Sequence, residues 1–111
     1  MLCNLDYIHR LSGGDAGFVR EMIRLFLKQA PQELEKLQFS IAANEQANIR
    51  QIVHKLKSSV AMVGAESMAS ELRNMESLLT EEADGLLFWG PFNNLENKFT
   101  LVRQELEPML A

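Results

Sequence analysis

The fold prediction starts from the segment of residues 49 to 65, which reads Ile49-Arg50-Gln51-Ile52-Val53-His54-Lys55-Leu56-Lys57-Ser58-Ser59-Val60-Ala61-Met62-Val63-Gly64-Ala65. Its apolar residues recur at helical spacing, which predicts an amphipathic helix with one side packed against a core. This apolar stripe consists of Ile49, Ile52, Val53, Leu56, Val60 and Val63.

The polar side of the same helix carries a histidine. With a turn of about 100° per residue, His54 lies about 140° from the middle of the apolar stripe, so we expect it to face solvent. Small and basic residues share its side of the helix: Arg50, Lys57, Ser58, Ala61 and Gly64. The pattern predicts an imidazole that another protein can reach.

The composition favours an all-α fold. Hydrophobic residues make up 47% of the 111 residues, with only three Pro and six Gly, which argues against disorder. Aromatic residues are few, and Leu, Met, Ala, Glu, Gln and Lys lose little side-chain freedom in a helix. We expect one domain that spans residues 1–111.

Charge and cysteine content narrow the function classes. The net charge of −4 argues against a basic face that binds nucleic acid. The single Cys3 has no partner for an internal disulfide, which suits a reducing compartment. No apolar run approaches the roughly 20 residues needed to span a bilayer, and the N-terminus does not resemble a signal peptide. We therefore expect a cytoplasmic protein that does not insert into a membrane.

The first half of the chain predicts a short leading helix and two long ones. Leu2 to Leu11 has an apolar residue every third position, with His9 as a half-exposed structural residue, and Asp15 can cap the following helix. That helix runs from Phe18 to about Ala43, with Phe39 on its inner face and a kink or short break at Pro31. The helix of the opening stretch then begins at Gln46 or Ala47 and ends or bends at Gly64-Ala65.

The second half predicts two more helices. One spans Glu66 to Leu79, with Glu66, Glu71 and Arg73 as solvated charges. Leu86-Leu87-Phe88-Trp89 is an apolar lead-in, with Trp89 as a packing anchor, to a last helix from about Pro91 to Leu106. The fold class is thus all-α, an antiparallel four-helix bundle (up-down-up-down) with a short N-terminal helix.

The sequence lacks the motifs of several common kinds of active site. The sequence has no Gly-rich phosphate loop, no CxxC pair and no His-Glu-x-x-His zinc motif, so we predict neither a cofactor site nor a metal site. Ser58 and Ser59 lie near His54, but this spacing alone does not make an acyl-transfer site.

Nucleophilic use of His54 remains open, because a neutral imidazole can attack phosphorus. Lys57, one turn on, can neutralise a phosphoryl group. Small residues lower the surface for a partner, and we expect a bulky residue at Gly64 to impair transfer more than folding. Glu76 lies twelve residues after Gly64 and His54 ten before it, so a hairpin brings them level and Glu76 can fix the imidazole tautomer. From the residues alone, a merely solvated histidine with Lys55 and Lys57 as surface charges stays an alternative.

A short motif in this stretch resembles the signature of histidine-containing phosphotransfer (HPt) domains. The family pattern is His, any residue, Leu, Lys and a small residue, followed later by an apolar-Gly pair. The chain reads His54-Lys55-Leu56-Lys57-Ser58-Ser59 and then Val63-Gly64-Ala65. Ser58 departs from the pattern, because many members have Gly there. The Leu5-Asp6 opening, the Gly14-Asp15 turn, Phe26 and the Leu34/Leu37 spacing also look like the family's first two helices.

The resemblance implies a phosphocarrier that is not itself an enzyme. His54 matches the phosphorylated histidine, Lys57 the lysine that helps to hold the phosphoryl group, and Gly64 the later glycine. Glu76 falls where the family often has Gln or Glu contacting the histidine. The implied partners are response-regulator receiver domains, which supply the acidic site and Mg²⁺, and possibly a hybrid sensor histidine kinase. A monomer is expected.

Three hypotheses follow. The first is a phosphorelay intermediate that exchanges a phosphoryl group between His54 and receiver aspartates, docking through Arg50, Ser58, Ala61 and Gly64. The second is a helical adaptor that binds receiver domains without carrying phosphate. The third is the dimerisation helix pair of a histidine kinase, which builds its bundle from two chains and works with an ATP-binding domain that this sequence does not show.

Overall fold

Five α-helices and two short 3₁₀ helices make up the chain in a computed structural model that describes all residues from 1 to 111. The helices are α1 (Asp6–Ser12), α2 (Ala16–Ala42), α3 (Gln46–Val63), α4 (Glu66–Thr80) and α5 (Trp89–Leu106). The 3₁₀ helices are Gly85–Phe88 before α5 and Glu107–Leu110 after it. The all-α prediction is confirmed.

The four long helices form an antiparallel bundle because short connections reverse the chain between them. α2 packs on α3, α3 on α4 and α4 on α5, and α5 returns to α2, so that α3 and α5 lie at opposite corners. The bundle is 45 Å long and 21 Å across, and the 27 residues of α2 alone account for about 40 Å at 1.5 Å per residue. α1 lies against α2 and α3 at one end.

The predicted apolar stripes supply the core. The α3 residues Ile49, Val53, Leu56, Val60 and Val63 are all at most 1% exposed. Burial at this level contributes about 1.5 to 3 kcal/mol for each large side chain. The largest fully buried side chains come from the other helices as well and include Phe88, Phe92, Ile8, Ile23, Leu37, Met68, Leu72, Met75, Leu95 and Leu106.

α2 is one continuous helix, whereas its sequence suggested an interruption. The Asp15 carboxylate accepts hydrogen bonds from the backbone N–H groups of Gly17 and Phe18, at 2.9 and 3.2 Å, and so caps the helix as predicted. Of the predicted kink or short break at Pro31, the break does not occur, because the helix continues to Ala42. Pro31 removes one backbone hydrogen bond, but Ala30 and Leu34 on either side are buried and hold both halves on the core.

Other expectations about individual residues are corrected. Phe39 is 67% exposed instead of facing inward. The leading helix begins only at Asp6, and Leu2 and Leu11 are both exposed. α5 begins at Trp89, two residues early, which places Pro91 in the first turn, where its missing N–H needs no partner. Trp89 packs edge-on against Phe92, with 5.7 Å between ring centroids, as a packing anchor.

The N-terminal segment before α1 is attached at two points. The Glu105 carboxylate accepts hydrogen bonds from the backbone N–H groups of Leu2 and Cys3, both at 2.7 Å. Burial raises the pKa of Glu105, but these two hydrogen bonds lower it more, so its net pKa lies below the usual value. The Asn4 N–H donates to the Gly64 carbonyl at 3.1 Å, which ties the segment to the end of α3.

Glu71 is buried, although the sequence suggested a solvated charge. It is 6% exposed, and its carboxylate receives hydrogen bonds from Lys98 of α5 at 2.5 Å and from Asn74 at 3.2 Å. Burial raises the pKa of Glu71, and the hydrogen bonds from Lys98 and Asn74 lower it to below its usual value. The carboxylate is therefore a charged link between α4 and α5.

We expect Glu71→Ala to lower the free energy of unfolding by about 2 kcal/mol, because it leaves the half-buried Lys98 without its partner. Chemical denaturation at neutral pH measures this value. Glu66→Ala is the matched control: Glu66 is exposed, is ion-paired with Arg73 on the same helix, and should cost less than about 1 kcal/mol. Equal losses in the two variants would contradict the structural role of Glu71.

Gly64 ends α3 in a conformation that favours glycine. Its φ is 62°, in the left-handed region. Its N–H donates a hydrogen bond to the Ala61 carbonyl. A Cβ atom built on Gly64 would lie 2.1 Å from the Asn4 carbonyl oxygen, which is backbone and cannot move aside alone. Contrary to the expectation from the sequence, a bulky residue at Gly64 is thus expected to impair folding directly.

Gly64→Ala should lower the free energy of unfolding by about 2 kcal/mol or more, because it adds left-handed strain to a backbone clash. Gly90→Ala is the control, because Gly90 lies in α5 with nothing within 4 Å of its would-be Cβ. That variant should be neutral or up to about 1 kcal/mol more stable. Denaturation midpoints compare the two, and a Gly64→Ala protein as stable as the parent would refute this role.

Candidate functional site

His54 lies on the outer side of α3, and buried neighbours fix its direction. Val53 and Leu56 are each 1% exposed, so the helix cannot rotate without exposing them. His54 itself is exposed, as the apolar spacing predicts. The imidazole therefore sits on a rigid helix with access from solvent.

The two lysines that follow His54 in the sequence are directed to different helices. Lys55 donates to Glu33 of α2 at 2.9 Å, and Lys36 lies 3.5 Å from the same carboxylate oxygen. Burial raises the pKa of Glu33, while the hydrogen bond and charge of Lys55, with those of Lys36, lower it to below its usual value. Lys55 is thus held on the α2 side, and Lys57 is the lysine on the α4 side.

Lys57 forms an ion pair with Glu76 across the α3–α4 pair. Its Nζ lies 2.9 Å from Glu76 Oε1 and 3.0 Å from Oε2. Both side chains are 40% exposed. The expected hydrogen bond from His54 to Glu76 is therefore corrected: Glu76 accepts from the Lys57 ammonium and not from the imidazole, because a nearby cation attracts a carboxylate more strongly than a neutral ring.

His54 and Glu76 nevertheless line one recess, as the hairpin geometry predicted. This open recess has a volume of about 410 Å³ and is lined by Arg50, Gln51, His54, Glu76, Leu79 and Thr80. Gln51 and Thr80 were not singled out from the sequence. Helical spacing could have indicated both, because Gln51 precedes His54 by three residues and Thr80 follows Glu76 by four.

The four expected docking residues differ in their exposure to solvent. Arg50, Ser58 and Ala61 are exposed on the side of α3 that carries His54. Gly64 is half-buried, and the N-terminal segment crosses it. It lines a second recess of about 430 Å³ together with Asn4, Lys57, Ala61 and Arg73. Gly64 therefore shapes the end of this surface through its backbone conformation.

The described groups can support nucleophilic chemistry at the imidazole. His54 has access, Lys57 supplies a positive charge one turn away, and the small side chains of Ser58 and Ala61 leave the surface low. No group of three or more His, Cys, Asp or Glu side chains is placed to hold a metal ion. No helix is both long and apolar enough to cross a membrane.

Comparisons with known proteins agree with this geometry. The family model described as "Hpt domain" matches residues 21–107. A solved structure, the HPT domain from a sensor hybrid histidine kinase of Shewanella, superimposes with a TM-score of 0.79 at 21% sequence identity. The match covers 96% of this chain and 92% of that one, which shows that the two share a fold. No curated protein matches.

The family match spans α3, α4 and α5 whole, and most of α2. It therefore includes the exposed histidine, its lysine and the recess between α3 and α4. The chain belongs to the Hpt domain family, and its function lies in phosphotransfer within two-component signalling systems, with receiver or kinase domains as partners.

Proposed function

We propose that His54 is the phosphoryl acceptor and exchanges the group with aspartates of response-regulator receiver domains. The observation that carries the proposal is the exposed imidazole of His54 on a helix whose other side is buried. His9, the other histidine, lies on the short α1 and has no lysine one turn on.

The transfer step balances without a further reactant. The lone pair of one ring nitrogen of His54 attacks the phosphorus of a receiver aspartyl phosphate and forms a P–N bond. The P–O bond to the aspartate breaks, and the carboxylate leaves with the bonding electrons. The other ring nitrogen keeps its proton. The reverse step passes the group to an aspartate of a second receiver.

Lys57 is proposed to neutralise the phosphoryl group as it arrives. It lies three residues after His54, so both side chains project from one side of α3. Its side chain is 40% exposed and close to the surface that a receiver would cover. Mg²⁺ is proposed to belong to the receiver's acidic site, and this chain supplies the nucleophile and the lysine.

The docking surface is proposed to be the exposed side of α3 around Arg50, Ser58 and Ala61. Exclusion of water by the receiver would strengthen the attraction between Lys57 and the phosphoryl group, because charges interact more strongly away from water. Ser58, in the position of the usual glycine, adds only a small hydroxymethyl group at this surface.

The protein is proposed to act as a cytoplasmic monomer. The observation that favours a monomer is the bundle, which one chain completes with α2, α3, α4 and α5 around a shared core. A kinase dimerisation helix pair builds its bundle from two chains. Light scattering distinguishes the two by mass.

We expect the protein to become labelled when it is mixed with a receiver domain carrying a radioactive aspartyl phosphate. His54→Gln should reduce labelling at least about 100-fold, because the amide has no nucleophilic ring nitrogen. His9→Gln is the control and should be labelled like the parent. Retained labelling of His54→Gln would exclude His54 as the acceptor.

The same two variants test the adaptor alternative. If the protein only binds receivers, no label appears in the parent. Receiver affinity, measured by calorimetry, would then be the same for the parent, His54→Gln and His9→Gln.

A further inference from the structure

We propose that Glu76 regulates the stability of the phosphohistidine by competing with the phosphoryl group for the Lys57 ammonium. This inference rests on the proposed function, because it concerns the charge that develops on His54. In this account Glu76 never touches the phosphoryl group. It is a positioning residue that acts through Lys57.

The ion pair is built so that Lys57 can leave it. Lys57 Nζ is 2.9 to 3.0 Å from both oxygens of Glu76, but each side chain is 40% exposed. By contrast, Glu71 and Glu33 are 6% and 7% exposed, and each forms an ion pair with a lysine of a neighbouring helix. An exposed ion pair contributes little to stability and exchanges partners readily.

Lys57 sits between two possible anionic partners. One is the Glu76 carboxylate of α4, which holds it in the structure. The other would be a phosphoryl group on His54, one turn earlier on the same side of α3. A phosphoryl group carries nearly two negative charges at neutral pH, so it is the stronger competitor, but the carboxylate must be displaced first.

Glu76 is placed to influence this exchange without participating in the chemistry. It lines the same recess as His54, yet its carboxylate is bound to Lys57 and not to the imidazole. Arg50 also lines the recess, and no ion pair joins it to Glu76. The charge of Glu76 therefore acts on the exchange of Lys57 between its two anionic partners, the Glu76 carboxylate and the phosphoryl group.

Glu76→Gln keeps the size and shape of the side chain and removes its charge. With the carboxylate gone, Lys57 is free to neutralise the phosphohistidine, so the phosphoryl group should be held more tightly. The forward and reverse transfer rates with one receiver domain give the equilibrium constant for exchange. We expect this constant to shift about threefold to tenfold toward the phosphorylated protein in Glu76→Gln.

Glu107→Gln is the matched control for the loss of one negative charge. Glu107 is an exposed glutamate that pairs with Arg103 at the end of α5, and α5 lies at the corner of the bundle opposite α3. Its exchange constant should stay within about 1.5-fold of the parent value, because salt screens charges separated by more than about 10 Å. Thermal melts of both variants confirm that each remains folded.

A double-mutant cycle with Lys57→Met shows whether Glu76 acts through Lys57. In the Lys57→Met background, Glu76→Gln should change the exchange constant less than twofold. An unchanged threefold to tenfold effect there would overturn the proposal in favour of direct repulsion between Glu76 and the phosphoryl group.

Two further outcomes would also overturn the proposal, and they are distinguishable. Labelling on His54 with no shift in Glu76→Gln would reject the competition alone and leave the proposed function intact. Absence of label on His54 in the parent protein would reject both.

Discussion

α3 buries Val53, Leu56 and Val60 against the other main helices, and this contact fixes the direction in which its opposite side faces. Rotation of the helix by one residue position would bring His54 toward the core and expose at least one of these side chains. Each such exposure costs about 1.5 to 3 kcal/mol. The position of the imidazole is therefore set by packing on the far side of its helix, without any polar contact to the ring.

The same packing of helices positions the other groups of the site. α4 lies against α3, and its buried residues Leu72, Met75 and Leu79 leave Glu76 at the edge of the helix pair. From that edge Glu76 reaches Lys57 and lines the recess that contains His54. Two helices joined by a short turn are thus sufficient to assemble an exposed imidazole, a cation and its counter-ion on one surface.

The features that the sequence predicted well depend on residues that are close together in the chain. Helical periodicity depends on neighbours three and four residues away, so the apolar stripe of α3, the exposure of His54 and the end of α3 near Gly64 followed from spacing. Counting residues on either side of the turn at Gly64 also predicted that Glu76 lies at the same height along the helix pair as His54. The actual partner of Glu76 did not follow, because three charged or polar groups converge there and only their side-chain positions decide which pair forms.

What the sequence could not show depends on contacts between distant residues. Asn4 lies over Gly64, and Lys98 reaches Glu71 from another helix. Neither pairing leaves a periodic signal. Each changed the interpretation of its residue, because Gly64 became a structural glycine and Glu71 a buried charge. Phe39 shows the reverse case, an apolar residue in a long helical pattern that is exposed although Leu37 and Ile41 on either side of it are buried.

In the proposed function, the phosphoryl group resides on the imidazole of His54. Nuclear magnetic resonance of ¹⁵N-histidine-labelled protein, recorded before and after phosphorylation by a receiver domain, tests it most directly. If His54 is the acceptor, the resonance of one of its ring nitrogens shifts and shows coupling to ³¹P, while the His9 ring is unchanged. Coupling at His9, or label on the protein with both rings unchanged, would contradict it.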